Sequence, residues 1–269
     1  MSGMQSQKIV FRRITKPKGK DFERLWKIYE ECFPIRDERE TKKHLEENAN
    51  AHSFSERGRY VDNFFMSVSV NGKLAGGAIF DYVEGKICGR RTGFGTGFYI
   101  FISKEHRGKG LGRLMQEKHI KVLKDAAAKR GSSLDTIIYE LNDPQRMKPG
   151  EAKKDDAVIR PEERLEFFSH FGFRKVAFDY VQPQLTEKSK PYEGLMLCIL
   201  PLRKDFQKEM PAEYLKQLLW LYISGFSGIP GSNVNGYRDP DTDKAYLRMK
   251  RRLERMKRLR LPPLTRTLL

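Results

Sequence analysis

The segment from Thr96 to Arg130 restricts what this chain can fold into more than any other. It opens on an apolar run of strand length, Phe98-Tyr99-Ile100-Phe101-Ile102, followed by the glycine-rich loop Arg107-Gly108-Lys109-Gly110-Leu111-Gly112. Beyond the loop, Leu114, Met115, His119, Val122, Leu123 and Ala126 recur at helical spacing. Strand, glycine loop and helix in this order make a cradle for an anion. Glycines let the backbone approach the ligand closely, and the first N–H groups of a helix have no partner of their own. Lys109 and Arg113 add positive charge. The loop lacks the GxxxxGK[ST] order of a nucleoside-triphosphate loop. It also lacks the GxGxxG spacing of a dinucleotide fold, because Gly108, Gly110 and Gly112 alternate with other residues.

The elements around this core can be read in order. Residues 8–14 predict a strand. Asp21 is a good N-cap for a helix over 22–32, with Phe22, Leu25, Trp26, Ile28, Tyr29 and Phe33 on its apolar side and Pro34 as its stop. Residues 41–51 predict a polar surface helix. Strands over 64–70 and 74–82 flank Asn71-Gly72-Lys73, a strong hairpin signal. The glycines between Gly85 and Gly97 suggest an irregular connection with Arg90 and Arg91 exposed. A strand over 135–141 follows the central helix. The Pro-, Gly- and charge-rich segment 142–161 forbids one regular element and has the length of a lid or binding loop. A helix over 162–171 closes on Gly172, and the last strands fall at 178–181 and 195–200.

Taken whole, the loop reads R-G-x-G-L-G and contains Arg107-x-x-Gly110-x-Gly112. In a strand–loop–helix setting this resembles the acetyl-CoA loop of the GNAT N-acetyltransferase superfamily. Phe33-Pro34-Ile35-Arg36-Asp37-Glu38-Arg39-Glu40 resembles a Phe-Pro segment that follows the first helix in many members, and Phe168-Ser169-His170-Phe171-Gly172-Phe173 resembles the family's Y-x-x-x-G-F helix end. The order of elements is also the family's, so the resemblance spans roughly residues 8–202. It implies an α/β GNAT fold, a mixed central sheet with flanking helices and a splayed cofactor cleft. Acetyl-CoA is then the co-substrate, and an acetyl group passes to a primary amine by direct attack in a ternary complex. Ile100, Phe101, Ile102 and Ser103 would pair with the pantetheine arm. Arg107, Gly108, Lys109, Gly110, Leu111, Gly112 and Arg113 would hold the pyrophosphate.

Acyl transfer to an amine also needs a group to deprotonate the ammonium. Glu140, near the end of the strand after the central helix, is the candidate base, acting directly or through water; a strand-edge carboxylate in a salt bridge is the alternative reading. Glu140-x-Asn142-Asp143-Pro144 and Tyr180-Val181-Gln182-Pro183-x-Leu185 resemble segments of some uncharacterised GNAT proteins. The tyrosine that the family often uses as acid is Phe168 here, and its usual asparagine is Pro161. Tyr139, Tyr180 and Tyr192 are the substitutes, and a thiolate leaving group can also depart without an acid.

Residues 203–269 extend past the domain at 1–202. Pro211 opens a helix with Tyr214, Leu215, Leu218, Leu219 and Tyr222 on one side, and Gly225–Gly236 is a loop. Asp241, Thr242 or Asp243 caps a last helix with Tyr246, Met249, Leu253 and Met256 as a narrow stripe among many Lys and Arg. The net charge of +17 attracts anions without naming one. The acceptor is a small-molecule or peptide amine, and an acidic acceptor and nucleic acid at the basic tail both stay open. A coenzyme A sensor without turnover and a nucleic-acid-associated protein are the competing classes. No apolar run of about 18 residues is present, so no membrane span is expected. The N-terminus has no apolar signal core, and Cys32, Cys88 and Cys198 are odd in number and scattered. These point to a cytoplasmic protein. The five histidines make no ligand pattern, so no metal site is expected.

Overall fold

The apolar run 98–102 is the end of a longer strand that begins at Arg90. The computed structural model describes residues 7–34, 39–56, 58–148, 150, 153, 158–183, 190–224 and 239–264. The first half of the chain forms β1 (Ile9–Arg13), α1 (Lys20–Cys32), α2 (Lys42–Ala51), β2 (Ser53–Glu56), β3 (Arg59–Val70), β4 (Lys73–Ile87) and β5 (Arg90–Ile102). Then come α3 (Leu111–Lys129), β6 (Leu134–Asn142), α4 (Pro161–His170), β7 (Arg174–Lys175) and β8 (Leu195–Pro201). β9 (Glu209–Pro211), α5 (Ala212–Ile223), α6 (Lys244–Glu254) and β10 (Arg258–Arg260) complete it.

β1 to β8 make one mixed sheet in the order β1-β3-β4-β5-β6-β8-β7, with β2 also on β3. Neighbours are antiparallel except β5 and β6, which run parallel because α3 crosses between them. The hairpin at Asn71-Gly72 has positive φ at both residues, 50° and 79°, as its turn type requires. The irregular connection expected over 85–97 is instead paired strand. β4 and β5 match residue by residue from Glu84–Gly93 out to Ile87–Arg90, and only Cys88 and Gly89 turn. The glycines here admit neighbours: a Cβ on Gly93 would meet the Tyr82 ring at 2.5 Å, and one on Gly85 would meet Leu221 at 2.7 Å.

Other boundaries shift for local reasons. α1 starts at Lys20 with Gly19 as its cap, so Asp21 sits in the first turn and makes no capping bond. The strand expected over 178–181 is absent. Backbone bonds within Phe178–Tyr180 tighten that segment, and it contributes only an isolated bridge from Gln182 to Tyr192. α6 is capped by Asp243, which accepts from the N–H groups of Ala245 and Tyr246. It ends at Glu254, leaving Met256 off the apolar stripe and 39% exposed. The motif residues 35–38, the loop 225–236, Leu185 and part of 142–161 lie outside the described residues.

α3 and α4 cover one face of the sheet, with Met115, Leu123, Ile137, Phe168 and Phe173 in the core between them. α1 covers part of the other face through Phe22, Leu25 and Tyr29 and α2 through Leu45 and Ala49, in one cluster with Phe65 and Phe101 of the sheet. The rest of that face is covered by the C-terminal segment. Leu215, Leu218, Leu219 and Tyr246 share one buried cluster with Val83, Ile138 and Ile199 of the sheet. The residues after 202 therefore have no separate core among the described residues. They complete the core of the sheet.

Candidate active site

β5 and β6 stay paired from Gly93–Leu134 to Gly97–Tyr139 and then part. β5 continues along β4 to Ile102, while β6 continues along β8 to Asn142. From Phe98 onward, no strand among the described residues pairs the β6-facing edge of β5. A bulge starts the divergence. Ile79 pairs with Tyr99 and Phe80 with Gly97, leaving Phe98 as the extra residue. The bulge turns Phe98 and Tyr99 to the same face, where both pack against the α1 cluster. The wedge between the strands opens into a cavity of about 570 Å³.

One half of the cavity is a cradle. Gly108 and Gly110 have φ of 71° and 77°, and a Cβ at either would meet nothing within 4 Å. Gly110 caps α3, and the first intrahelical bond is from Leu114 N–H to the Gly110 carbonyl at 3.1 Å. The N–H groups of Leu111, Gly112 and Arg113 thus precede the helical ladder and point out of the helix N-terminus. Ile100, Phe101, Ile102, Arg107, Gly108, Gly110, Leu111, Gly112 and Arg113 all line the cavity. A pyrophosphate with a flexible arm fits this cradle and open edge.

Three expected cofactor residues behave differently. Ser103 closes the strand: its N–H donates to the Ala75 carbonyl at 2.9 Å and its hydroxyl lies 2.9 Å from His106 Nδ1. Lys109 lies outside the lining and donates to the Glu105 carbonyl at 2.7 Å. The Arg107 guanidinium is occupied as a clamp. It donates to the carbonyls of Ile102 and Val158, each at 2.9 Å, and to Cys32 Sγ at 3.1 Å. It ties the end of β5 to α1 and to the segment before α4, so its charge reaches the cavity while its donors hold the loop.

The other half of the cavity is built on the opposite sheet face. Glu140 accepts hydrogen bonds from the Tyr180 hydroxyl on one carboxylate oxygen and from the Gln182 amide on the other. Tyr222 of α5 donates to it as well. The carboxyl is deep in the protein, and the surface it keeps faces the cavity. Burial pushes its pKa up to about 7, against the three donors, which favour the ionised form. Phe33, Glu40, Phe98 and Tyr99 complete this half. Tyr99 stacks edge-on against Phe33 and Tyr29, with both ring centroids 4.9 Å away.

Glu140 and Tyr180, two of the three expected catalytic residues, are therefore brought together. Tyr139 is not. Side chains alternate along a strand, so Tyr139 faces α3 while its neighbour Glu140 faces α5. The Tyr139 hydroxyl donates to Gln116 Oε1 at 3.1 Å and lies 2.8 Å from His119 Nδ1. His119 is fully buried, and burial pushes its pKa down to about 3, so the ring is neutral. The sequence does not single out Gln182 or Tyr222 as site residues: Gln182 stands inside the segment Tyr180-Val181-Gln182-Pro183, and Tyr222 reads only as one apolar position of a helix. Among the described residues, no group of His, Cys, Asp or Glu is arranged to hold a metal ion, and no helix is long and apolar enough to cross a membrane.

The fold is a mixed α/β sheet with a cleft where two parallel strands part. Residues 22–144 match the profile of the Acetyltransferase (GNAT) family, and the domain they belong to is a GNAT acetyltransferase domain. Solved structures are similar at low identity. The ribosomal-protein-S18-alanine N-acetyltransferase of Escherichia coli is 14% identical with a TM-score of 0.40, covering 72% of this chain and 94% of that one. A GNAT-family protein of Bacteroides thetaiotaomicron is 17% identical with a TM-score of 0.47, covering 74% and 92%. A Bacillus subtilis acetyltransferase in complex with CoA is 16% identical with a TM-score of 0.39, covering 73% and 100%. No curated protein matches by sequence.

Proposed function

We propose that this protein moves an acetyl group from acetyl-CoA to a primary amine by direct attack, with Glu140 as general base. The observation that carries the reading is the position of Glu140. It is a largely buried carboxylate with no cation bonded to it among the described residues, facing the cavity opposite the open edge of β5. An amine enters as an ammonium and must lose a proton before it attacks. A carboxyl whose pKa is about 7 is half ionised near neutral pH and can take that proton. Acetyl-CoA supplies an acyl group on a thiol that leaves readily. The N–H groups at the start of α3 bind its pyrophosphate, and N–H groups on the unpaired edge of β5 orient and polarise its thioester.

The lining of the acceptor half supports a cationic acceptor over an acidic one. Among the described residues its charged groups are the carboxylates of Glu40 and Glu140, whereas Arg107, Arg113 and Arg164 line the cradle half together with Glu163. The basic face of α6 is partly used within the fold, with Arg252 on Asp179 at 2.5 Å and Lys250 on Asp241 at 2.8 Å. Nucleic acid has no supporting observation beyond net charge.

Release of free thiol from acetyl-CoA, followed with dithiobis-nitrobenzoate over a panel of primary amines, tests the reading. Turnover should depend on the amine, and Glu140→Gln should lower kcat by about 10²–10⁴-fold at nearly unchanged coenzyme A affinity. A mutant that raises KM for the amine at wild-type kcat would make Glu140 a recognition group instead. Tight coenzyme A binding with no thiol released by any amine would favour a sensor.

A further inference from the structure

The segment after residue 202 does more than cover the sheet. α5 runs across the face that carries Glu140, and its position is fixed on several sides. Leu221 packs into the space left by Gly85, and its carbonyl accepts from the Arg59 guanidinium at 3.3 Å. One residue on, the Tyr222 ring lies parallel to Phe98 at 6.3 Å, directly against the bulge that splits the strands. Its hydroxyl donates to Glu140, and it lines the cavity. Tyr180 and Gln182 approach the same carboxylate from the segment before β8. We infer that Tyr222, supplied by the C-terminal segment, is a positioning residue for Glu140, holding the carboxylate toward the acceptor; the inference rests on the proposed amine transfer.

Three neutral donors around one buried carboxylate do two things. They fix its orientation, and they favour the ionised form that a base needs, without the cation that would make it a weak base. The titratable groups facing Glu140 are Tyr180, Tyr222 and Tyr99 of β5. Further out, Glu40, Asp81 of β4 and Asp243 act on these phenols. Each of these is acidic, and Arg146 donates to the backbone carbonyls of Tyr180 and Leu195 at 3.0 Å and not to the carboxylate, so among the described residues no bonded cation masks the loss of a single donor. Removing the Tyr222 hydroxyl must then shift the balance toward the protonated, inactive form.

The test uses the full chain carrying Tyr222→Phe, which keeps the ring and its packing on Phe98. The Glu140 carboxyl is followed by ¹³C NMR with labelled glutamate, its resonance assigned by its loss in Glu140→Gln. The midpoint should rise by about one to two pH units, the span of one hydrogen bond to a charged group. The pH–rate profile with acetyl-CoA and the best amine should move up by the same amount. Activity should fall about five- to fifty-fold at pH 7 and largely recover at pH 9, as expected for a base whose ionisation has been moved. Coenzyme A affinity by calorimetry should stay within about twofold, because the cradle is on the other face. A carboxyl midpoint that does not move would overturn the inference, as would an activity loss that is equal at pH 7 and pH 9. If no amine is acetylated by the wild-type protein, the amine-transfer reading fails and the assigned role falls with it, while a shifted midpoint still verifies the contact.

Discussion

Two carboxylates of one sheet, Glu84 and Glu140, are pushed in opposite directions. Both are taken out of water, which raises a carboxyl pKa. At Glu84 that effect is outweighed by hydrogen bonds from Arg130 at 2.9 Å, Arg91 at 2.7 Å and Tyr82 at 3.1 Å, so its pKa is lowered. At Glu140 all the donors are neutral and burial wins. The signs for folding follow. Glu84 contributes stability above the ordinary carboxyl value, and that stability is lost as pH falls through its lowered one. Glu140 favours the folded state most below its ordinary value of 4.5, and that contribution is lost as pH rises through about 7. Urea unfolding between pH 5 and 8 should therefore show a declining alkaline limb of at most about 3 kcal/mol. Glu140→Gln should flatten it, and an unchanged limb in that variant would contradict the raised pKa. Glu140 could be chosen from the sequence because its place at the end of a strand after the central helix is a one-dimensional fact. Its partner Tyr222 was illegible, because nothing local in a helix of alternating apolar residues marks which one reaches a charge on another strand. Tyr139 misled for the opposite reason. It stands beside Glu140 in sequence, and adjacent strand residues face opposite ways.

Between elements, the loop and its helix separate two uses of glycine. Gly110 needs its left-handed backbone, and a Cβ there would meet open space. Gly112 lies within α3, and a Cβ there would sit at an ordinary 3.6 Å from the Phe167 ring. Gly110→Ala should cost about 1 kcal/mol of stability through its strained φ, whereas Gly112→Ala should leave the melting temperature unchanged or slightly higher. Both should weaken coenzyme A binding by about 10–100-fold, the worth of one charge-assisted bond to phosphate. Calorimetry that finds wild-type affinity in both folded variants would reject the cradle. The strand–loop–helix unit was legible because its chemistry depends on the backbone, and glycine writes backbone conformation directly into sequence. The β4–β5 hairpin was not. Its glycines lie in regular strands to make room for Tyr82 of the facing strand and for Leu123 and Leu221, both distant in the chain.

At the scale of the molecule, the C-terminal segment and the sheet stand or fall together. Leu215, Leu218, Leu219, Leu221 and Ile223 are each at most 6% exposed. At about 1.5–3 kcal/mol per buried side chain they contribute on the order of 8–15 kcal/mol before entropy, as much as a whole domain's net stability. Truncation after Leu202 should therefore abolish cooperative unfolding and bring aggregation through the exposed Val83, Ile138 and Ile199. A truncated protein with the full-length melting temperature would show that the sheet stands alone. The same dependence reaches into biosynthesis. A ribosome delivers the chain from its N-terminus, so the glycine loop and the strand bearing Glu140 emerge long before α5. Until that helix docks, the carboxylate faces water instead of a closed pocket. On the amine-transfer reading, the nascent polypeptide gains a tuned base only after α5 has emerged and docked on the sheet.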